Sequence, residues 1–297
     1  MIFDKKILEK YENNITEFSK KEIEAVVLPK NLKELQQIIA EANEKKTDLF
    51  VISRGKNWGL GSKQPITKKS VVVNLKKVNQ IIDVNERYRY AIIEPGVTQK
   101  QLSDYLLANH KDLKFPVTGS AKGTSVMGNM LERGAVGLAH RNNMIGAMEI
   151  LLTNGELLRT GFWHYYKDNN PQAFHYPYGH GADLRGLFTQ SNMGVVTKMV
   201  IRLQPRLDGI IVVIRFKEEL LGEVTNLLRK QYEHKIIDSG ILIMNQNDPR
   251  TTKEKKYDYQ GNWVAFASFS GQNKLLKTKK RLLKRDYFTH HLKAYFI

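Results

Sequence analysis

The sequence predicts an α+β chain in two parts, and three observations carry that prediction. An apolar run, a helical stretch and a second apolar run open it as β-α-β over residues 23–52. Three short β-rich runs separated by charged turns follow at 70–75, 79–84 and 88–94. Beyond Pro205 a fresh strand–helix–strand succession begins, which marks Pro205 as a boundary. At 297 residues the chain is long enough for two domains and a sizeable core.

Residues 1–22 are polar, of mixed charge, and read as a short helix or an arm. Residues 23–28 are strand-like and end at Pro29. Asn31, with Glu34 three residues on, forms an approximate capping box. Leu32, Leu35, Ile38, Ile39 and Ala42 then keep helical period to about Lys46. Residues 49–52 form a second short buried strand. Past the β-rich block, Thr98 caps a helix over 99–109, with Leu102, Tyr105 and Leu106 on one face. Asn154-Gly155, between apolar runs at 148–152 and 157–160, is a strong hairpin signal. Residues 162–182 are irregular and aromatic, 183–191 look helical, and 195–203 form a strand that ends at Pro205. The second part reads as strand 209–216, helix 220–232, strand 236–244, polar loop 253–258, strand 263–269 and helix 274–286. A strand-like run at 294–297 follows with no successor.

Composition narrows the function classes. The chain is strongly basic, with 47 Lys and Arg against 30 Asp and Glu and a net charge of +17. That balance suits a nucleic-acid partner, yet the lysines are spread along the whole chain, as on a solvated surface. The exception is residues 274–285, where Lys274, Lys277, Lys279, Lys280, Arg281, Lys284 and Arg285 crowd together. Leu275, Leu276, Leu282 and Leu283 supply an apolar face beneath them at helical spacing, so a solvated helix face is the simpler reading. The absence of cysteine excludes disulfides, thiolate metal sites, Cys nucleophiles and a cysteinyl cofactor link. No apolar run approaches the ~20 residues that span a bilayer. The start, Met1-Ile2-Phe3-Asp4-Lys5-Lys6, lacks the apolar core of a secretory signal, so a cytoplasmic location is expected. His164, His175 and His180 share a Tyr-rich stretch but not the spacing of a ligand pair, and no metal is expected. No catalytic motif of a hydrolase stands out.

The segment with the most chemical content is Ser53-Arg54-Gly55-Lys56-Asn57-Trp58-Gly59-Leu60-Gly61-Ser62. A strand that empties into three glycines and two cations suggests backbone N–H groups held open for an anion. It fits neither common phosphate loop: Gln64 stands where a dinucleotide fingerprint wants its third glycine, and no P-loop pattern occurs. A second glycine-rich stretch lies at 119–128. In it, Gly123-Thr124-Ser125-Val126-Met127-Gly128-Asn129 reads either as a helix start facing a phosphate or as a simple N-cap. Composition leaves two readings open, a shared anion site and two unrelated turns.

These segments resemble the FAD-binding fold of the vanillyl-alcohol oxidase and 4-cresol dehydrogenase family. The likeness runs through Ser53–Gly61, Ile93-Glu94-Pro95-Gly96-Val97-Thr98, Ser125-Val126-Met127-Gly128-Asn129-Met130-Leu131-Glu132-Arg133-Gly134 and Thr153-Asn154-Gly155-Glu156-Leu157-Leu158-Arg159-Thr160-Gly161. It is most specific at Gly186-Leu187-Phe188-Thr189-Gln190-Ser191-Asn192-Met193-Gly194-Val195-Val196-Thr197-Lys198. The resemblance implies an arm (1–22), a PCMH-type FAD-binding domain of two α+β subdomains (23–205) and a partial α+β cap (206–297). It implies that the backbone of Arg54, Gly55, Lys56, Asn57, Trp58 and Gly59 holds the pyrophosphate. Gly123, Ser125, Val126, Gly128 and Asn129 then contact pyrophosphate and flavin, and Gly194 and Val195 lie along the adenosine or ring edge. The implied activity is hydride transfer from an alcohol-like or phenolic substrate to flavin, with oxygen or another acceptor reoxidising it.

Two departures bear on the reaction. Leu60 stands where the phenol-oxidising members place an aromatic phenolate-binding residue. His140 stands near the position of their flavin-side carboxylate, which makes it the candidate polar group facing the ring. The family's cap and its covalent attachment residue extend beyond what residues 206–297 match, so FAD is expected to be non-covalent. The same observation raises a non-catalytic remnant, or half of a split enzyme completed by another chain or a homo-oligomer, as the rival expectation.

Overall fold

The computed structural model describes residues 4–12, 22–56, 63–136, 139–166, 170–245 and 263–297. The chain divides into two compact units, Met1–Pro205 and Arg206–Ile297.

In the first unit α1 (Lys5–Glu12) precedes β1 (Ile23–Val27), α2 (Leu32–Lys45), β2 (Leu49–Ile52) and β3 (Ser70–Asn74). Asn31 caps α2 by accepting the Glu34 N–H at 2.9 Å. Glu34 answers one residue early, accepting the N–H of Lys30 at 2.8 Å rather than that of Asn31. The strands form a parallel sheet in the order β1-β3-β2. This corrects the sequence reading, which grouped 70–75 with the later β-rich runs. All five residues of β3 are buried, as a central parallel strand requires.

The rest of the unit runs through β4 (Ile81–Asn85), β5 (Tyr90–Ile93), α3 (Gln99–Asn109), β6 (Leu113–Lys114), α4 (Val126–Leu131), β7 (Ala135–Val136) and β8 (Ala139–His140). Then come β9 (Ile145–Leu152), β10 (Leu157–Arg159), α5 (Gln172–His175), β11 (Gly194–Arg202) and β12 (Gln204–Pro205). Strands β10-β9-β11-β5-β4 make an antiparallel sheet. Thr98 caps α3 through the Gln101 N–H at 3.0 Å, and Gly155, at φ +87°, turns the β9–β10 hairpin. Leu102 and Leu106 of α3 and Val126, Met127 and Met130 of α4 pack on one face, against Ile93, Met148, Ile150, Met199 and Ile201. Trp163 and Phe174 cover the other face over Tyr90, Ile92, Ala147 and Val200. The helix expected over 183–191 is a short 3-10 turn, Leu184–Phe188, capped by Asp183. Leu151 and Val195 share a cluster with Val27, Leu35 and Val73, which joins the two sheets.

The second unit contains β13 (Gly209–Phe216), α6 (Leu221–Glu233), β14 (Leu242–Asn245), β15 (Trp263–Ser270), α7 (Asn273–Thr289) and β16 (Lys293–Phe296). Its sheet order, β14-β15-β13-β16, is that of a βαββαβ unit. The final apolar run pairs with β13. The strand expected at 236–244 begins only at Leu242. Ile236 and Ile237 send their N–H groups back to Gln231 O, and Asp238 and Ser239 both donate to Ser268 O, outside a ladder. The expected polar loop 253–258 lies outside the described residues. Leu276, Leu283 and Tyr287 form the buried stripe of α7, whereas Leu275 is 48% exposed. The buried Tyr287 hydroxyl donates to Gln231 Oε1 at 2.9 Å, and burial pushes its pKa well above the usual phenol range. Tyr287→Phe leaves that acceptor unsatisfied and is expected to cost about 1–2 kcal/mol, read as a lower urea midpoint for this unit.

Candidate functional site

The loop after β2 is held by its first residues. Gly55 sits at φ +63°, where a Cβ would come within 3.0 Å of Ile52 and Lys63 side-chain carbons. Arg54 Nη1 donates to Gly96 O at 3.1 Å, while its buried Nε has no partner among the described residues. Asn57, Trp58, Gly59 and Leu60 lie outside the described residues.

The second glycine-rich stretch comes against the first. A Cβ on Gly123 would lie 2.7 Å from Lys56 Nζ, and a Cβ on Gly128 would lie 2.8 Å from Ser53 Oγ. Both glycines therefore keep backbone open beside the first loop, and a cation stands at one of them. Between the loops runs Pro95–Thr98. Ser125 Oγ donates to Pro95 O at 2.6 Å, the Val126 N–H donates to Val97 O at 3.0 Å, and the Gln99 N–H donates to Thr124 O at 2.9 Å. Ser125 is the N-cap of α4: its hydroxyl accepts the Gly128 N–H at 2.9 Å.

Asn129, next along α4, accepts a hydrogen bond from Arg141 Nη1 at 2.7 Å. Its backbone O accepts the Gly134 N–H, and Gly134 O accepts the Arg141 N–H, both at 2.8 Å. Arg141 is fully buried, and burial lowers its pKa to about 10. The preceding residue, His140, is placed by backbone pairing with Ala135 in the β7–β8 hairpin. Gly194 and Val195 stand elsewhere, at the start of β11. They pair with Leu152 and Leu151, and a Cβ on Gly194 would strike Ile150 Cγ2 at 2.7 Å. His164 and His180 meet aromatic rings edge-on, Tyr165 at 5.2 Å and Phe162 at 5.0 Å.

Both loops are legible in the sequence, whereas the Pro95–Thr98 spacer and Arg141 are not marked there as part of the site. The spacer's signal was Gly96, a glycine just before a capped helix. Arg141 carried no signal, since one arginine among 47 cations does not announce its burial.

Two separated loops that bring glycine backbone beside a lysine suit a phosphate-bearing ligand. Residues 23–161 match the family model described as an FAD binding domain. Over this segment the chain resembles an FAD-binding domain. It is 41% identical over 186 residues to 1'-carboxy-chondrochloren decarboxylase of Chondromyces crocatus, a match covering 62% of this chain and 34% of the relative. It is 34% identical over 184 residues to the 4-cresol dehydrogenase [hydroxylating] flavoprotein subunit of Pseudomonas putida, covering 61% and 35%. The chain spans about a third of the length of these curated relatives. The fold is that of substrate-bound p-cresol methylhydroxylase, with a TM-score of 0.86 at 22% identity over 99% of this chain and 62% of the other. Among the described residues no helix is long and apolar enough to cross a membrane.

Proposed function

We propose that this chain is the FAD-binding part of an oxidoreductase that takes hydride from an alcohol-like or phenolic organic substrate. The observation that carries the reading is the approach of Gly123 to Lys56 and of Gly128 to Ser53, which leaves an open cradle beside a cation. The buried Arg54 Nε, without a partner, adds an unspent donor at the same loop. These residues fit a dinucleotide: glycine backbone approaches closely, and the cations meet its phosphates.

In this reading Arg54, Gly55 and Lys56, with Asn57, Trp58 and Gly59, hold the pyrophosphate. Gly123, Val126, Gly128 and Asn129 border pyrophosphate and flavin, and Ser125 fixes their loop from beneath. Gly194 and Val195 lie along the adenosine or ring edge. His140 is the polar group facing the ring, where it polarises the substrate or takes its proton. The chemistry that FAD supplies when bound is acceptance of hydride from a substrate carbon, with later reoxidation by oxygen or another acceptor. A partner chain or a second copy completes the substrate side. The relative named as a flavoprotein subunit supports that part of the reading.

The test is the visible spectrum of the purified chain. Oxidised flavin absorbing in the blue, or its return on adding FAD, is the expected result; a colourless protein that cannot be reconstituted would end the proposal. Acid precipitation is expected to leave the colour in the supernatant, as a non-covalent cofactor would. Lys56→Met is expected to weaken FAD binding about tenfold, the worth of a lost charge-assisted contact, measured by quenching of flavin fluorescence. Unchanged flavin reduction in His140→Ala would remove His140 from its role.

A further inference from the structure

Arg141 opens a short 3-10 turn, Arg141–Met144, directly after the β7–β8 hairpin. No part of it reaches solvent. Among the described residues only Nη1 of its side-chain nitrogens has a partner, Asn129 Oδ1 at 2.7 Å; Nε and Nη2 are buried with none there. An unpaired buried cation costs several kcal/mol. This chain pairs other partly or fully buried charges: Glu149 meets Arg159 and Lys198, and Arg185 meets Asp183. Nor is the guanidinium needed to satisfy Asn129, for which one neutral donor suffices.

The two unspent nitrogens are not an arbitrary pair. Nε and Nη2 present parallel N–H groups along one edge of the guanidinium, the geometry that receives two oxygens of one oxyanion. That edge belongs to a residue anchored on Asn129, one position past Gly128, whose backbone abuts Ser53 of the first loop. In the FAD-binding reading the phosphates already have a cation in Lys56, which stands against Gly123.

We propose that the Nε–Nη2 edge of Arg141 binds a carboxylate of the organic substrate, so that the compound oxidised is an organic acid. The proposal rests on the FAD-dependent reading above and deepens it by naming the substrate class. A flavin phosphate offers the same oxyanion chemistry from another source, and the test separates the two.

The full chain is reconstituted with FAD and titrated with benzoate and with benzyl alcohol, its neutral counterpart, following the flavin spectrum. Arg141→Gln, which retains a donor for Asn129, is compared with Arg141→Lys, which retains charge without the fork. Benzoate is expected to bind wild type at least about tenfold tighter than benzyl alcohol, and Arg141→Gln to lose that preference, as for one charge-assisted bidentate contact. FAD affinity is expected to stay within about threefold in both variants, far less than such a contact is worth. Equal benzoate binding in wild type and Arg141→Gln would overturn the proposal. So would a tenfold loss of FAD affinity with no selective loss of benzoate, which would give the fork to the cofactor's phosphate. If wild type takes up no FAD, the oxidoreductase reading falls separately, and melting of the FAD-free chain decides. A benzoate-dependent rise in melting temperature that Arg141→Gln abolishes supports the carboxylate site, and no rise overturns it.

Discussion

Gly96→Ala is expected to destabilise the first unit by about 3 kcal/mol, at the upper end for overpacking, and to weaken FAD binding with it. An added Cβ would sit 2.7 Å from both Leu75 O and Val78 O and 2.8 Å from Lys76 O. These are backbone atoms of a turn, so no side-chain rotation relieves the clash. The Gly96 N–H also donates to Val78 O at 2.7 Å, which fixes the approach. Any shift of Gly96 is passed to both loops, because Gly96 O holds Arg54 and the neighbouring Pro95 O holds Ser125. Gly155→Ala is the control. Its Cβ meets nothing within 4 Å, but its φ is +87°, so it costs about 1 kcal/mol from backbone strain alone. Thermal melts read the stability difference, and flavin fluorescence reads the binding. Equal melting temperatures for the two variants would show that Gly96 tolerates a side chain and that the spacer does not hold the loops.

The elements that the sequence made legible are those with local signatures. The Thr98 cap, the Asn31 cap and the Asn154-Gly155 turn each act within a few residues, and each is present where the sequence put it. What stayed hidden depends on partners distant in the chain. Strand β3 reads like its successors, yet it pairs with β1 and β2 in a parallel sheet that buries all five of its residues. Residues 236–239 fall in the expected strand, but Gln231 O at the end of α6 and Ser268 O take their N–H groups. The glycine loops were visible as composition, while their approach to each other was not, since it runs through Gly96 and Ser125. Arg141 was invisible for the same reason. Arginine is ordinarily a surface residue, and only the packing around α4 makes it buried.

Glu149→Gln is expected to cost about 2–3 kcal/mol, less than for a wholly buried pair because both cations are partly solvated. Glu149 is fully buried on β9. Its Oε2 accepts from Arg159 Nε at 3.0 Å and pairs with Arg159 Nη2 at 2.9 Å. Its Oε1 meets Lys198 Nζ and the Thr197 hydroxyl, both at 3.0 Å. One carboxylate thereby ties β9 to β10 and to β11, at the place where the β9–β11 register shifts between Val196 and Lys198. The neutral amide offers one acceptor where two were used and turns an N–H toward a cation. Arg159 also lies 5.0 Å from the centre of the Trp163 ring, so its displacement loosens the cluster behind the sheet. The expected readout is a lower denaturant midpoint at unchanged slope. In a double-mutant cycle with Arg159→Gln the two losses are expected to be non-additive by about 1 kcal/mol or more. Additive losses would mean that the carboxylate acts by packing alone. The contrast with Arg141 sharpens both expectations. Glu149 is a buried charge whose every oxygen is met within the chain, so neutralising it must destabilise. Arg141 is a buried charge met at one nitrogen, so Arg141→Gln is expected to leave the ligand-free melting temperature unchanged or raised.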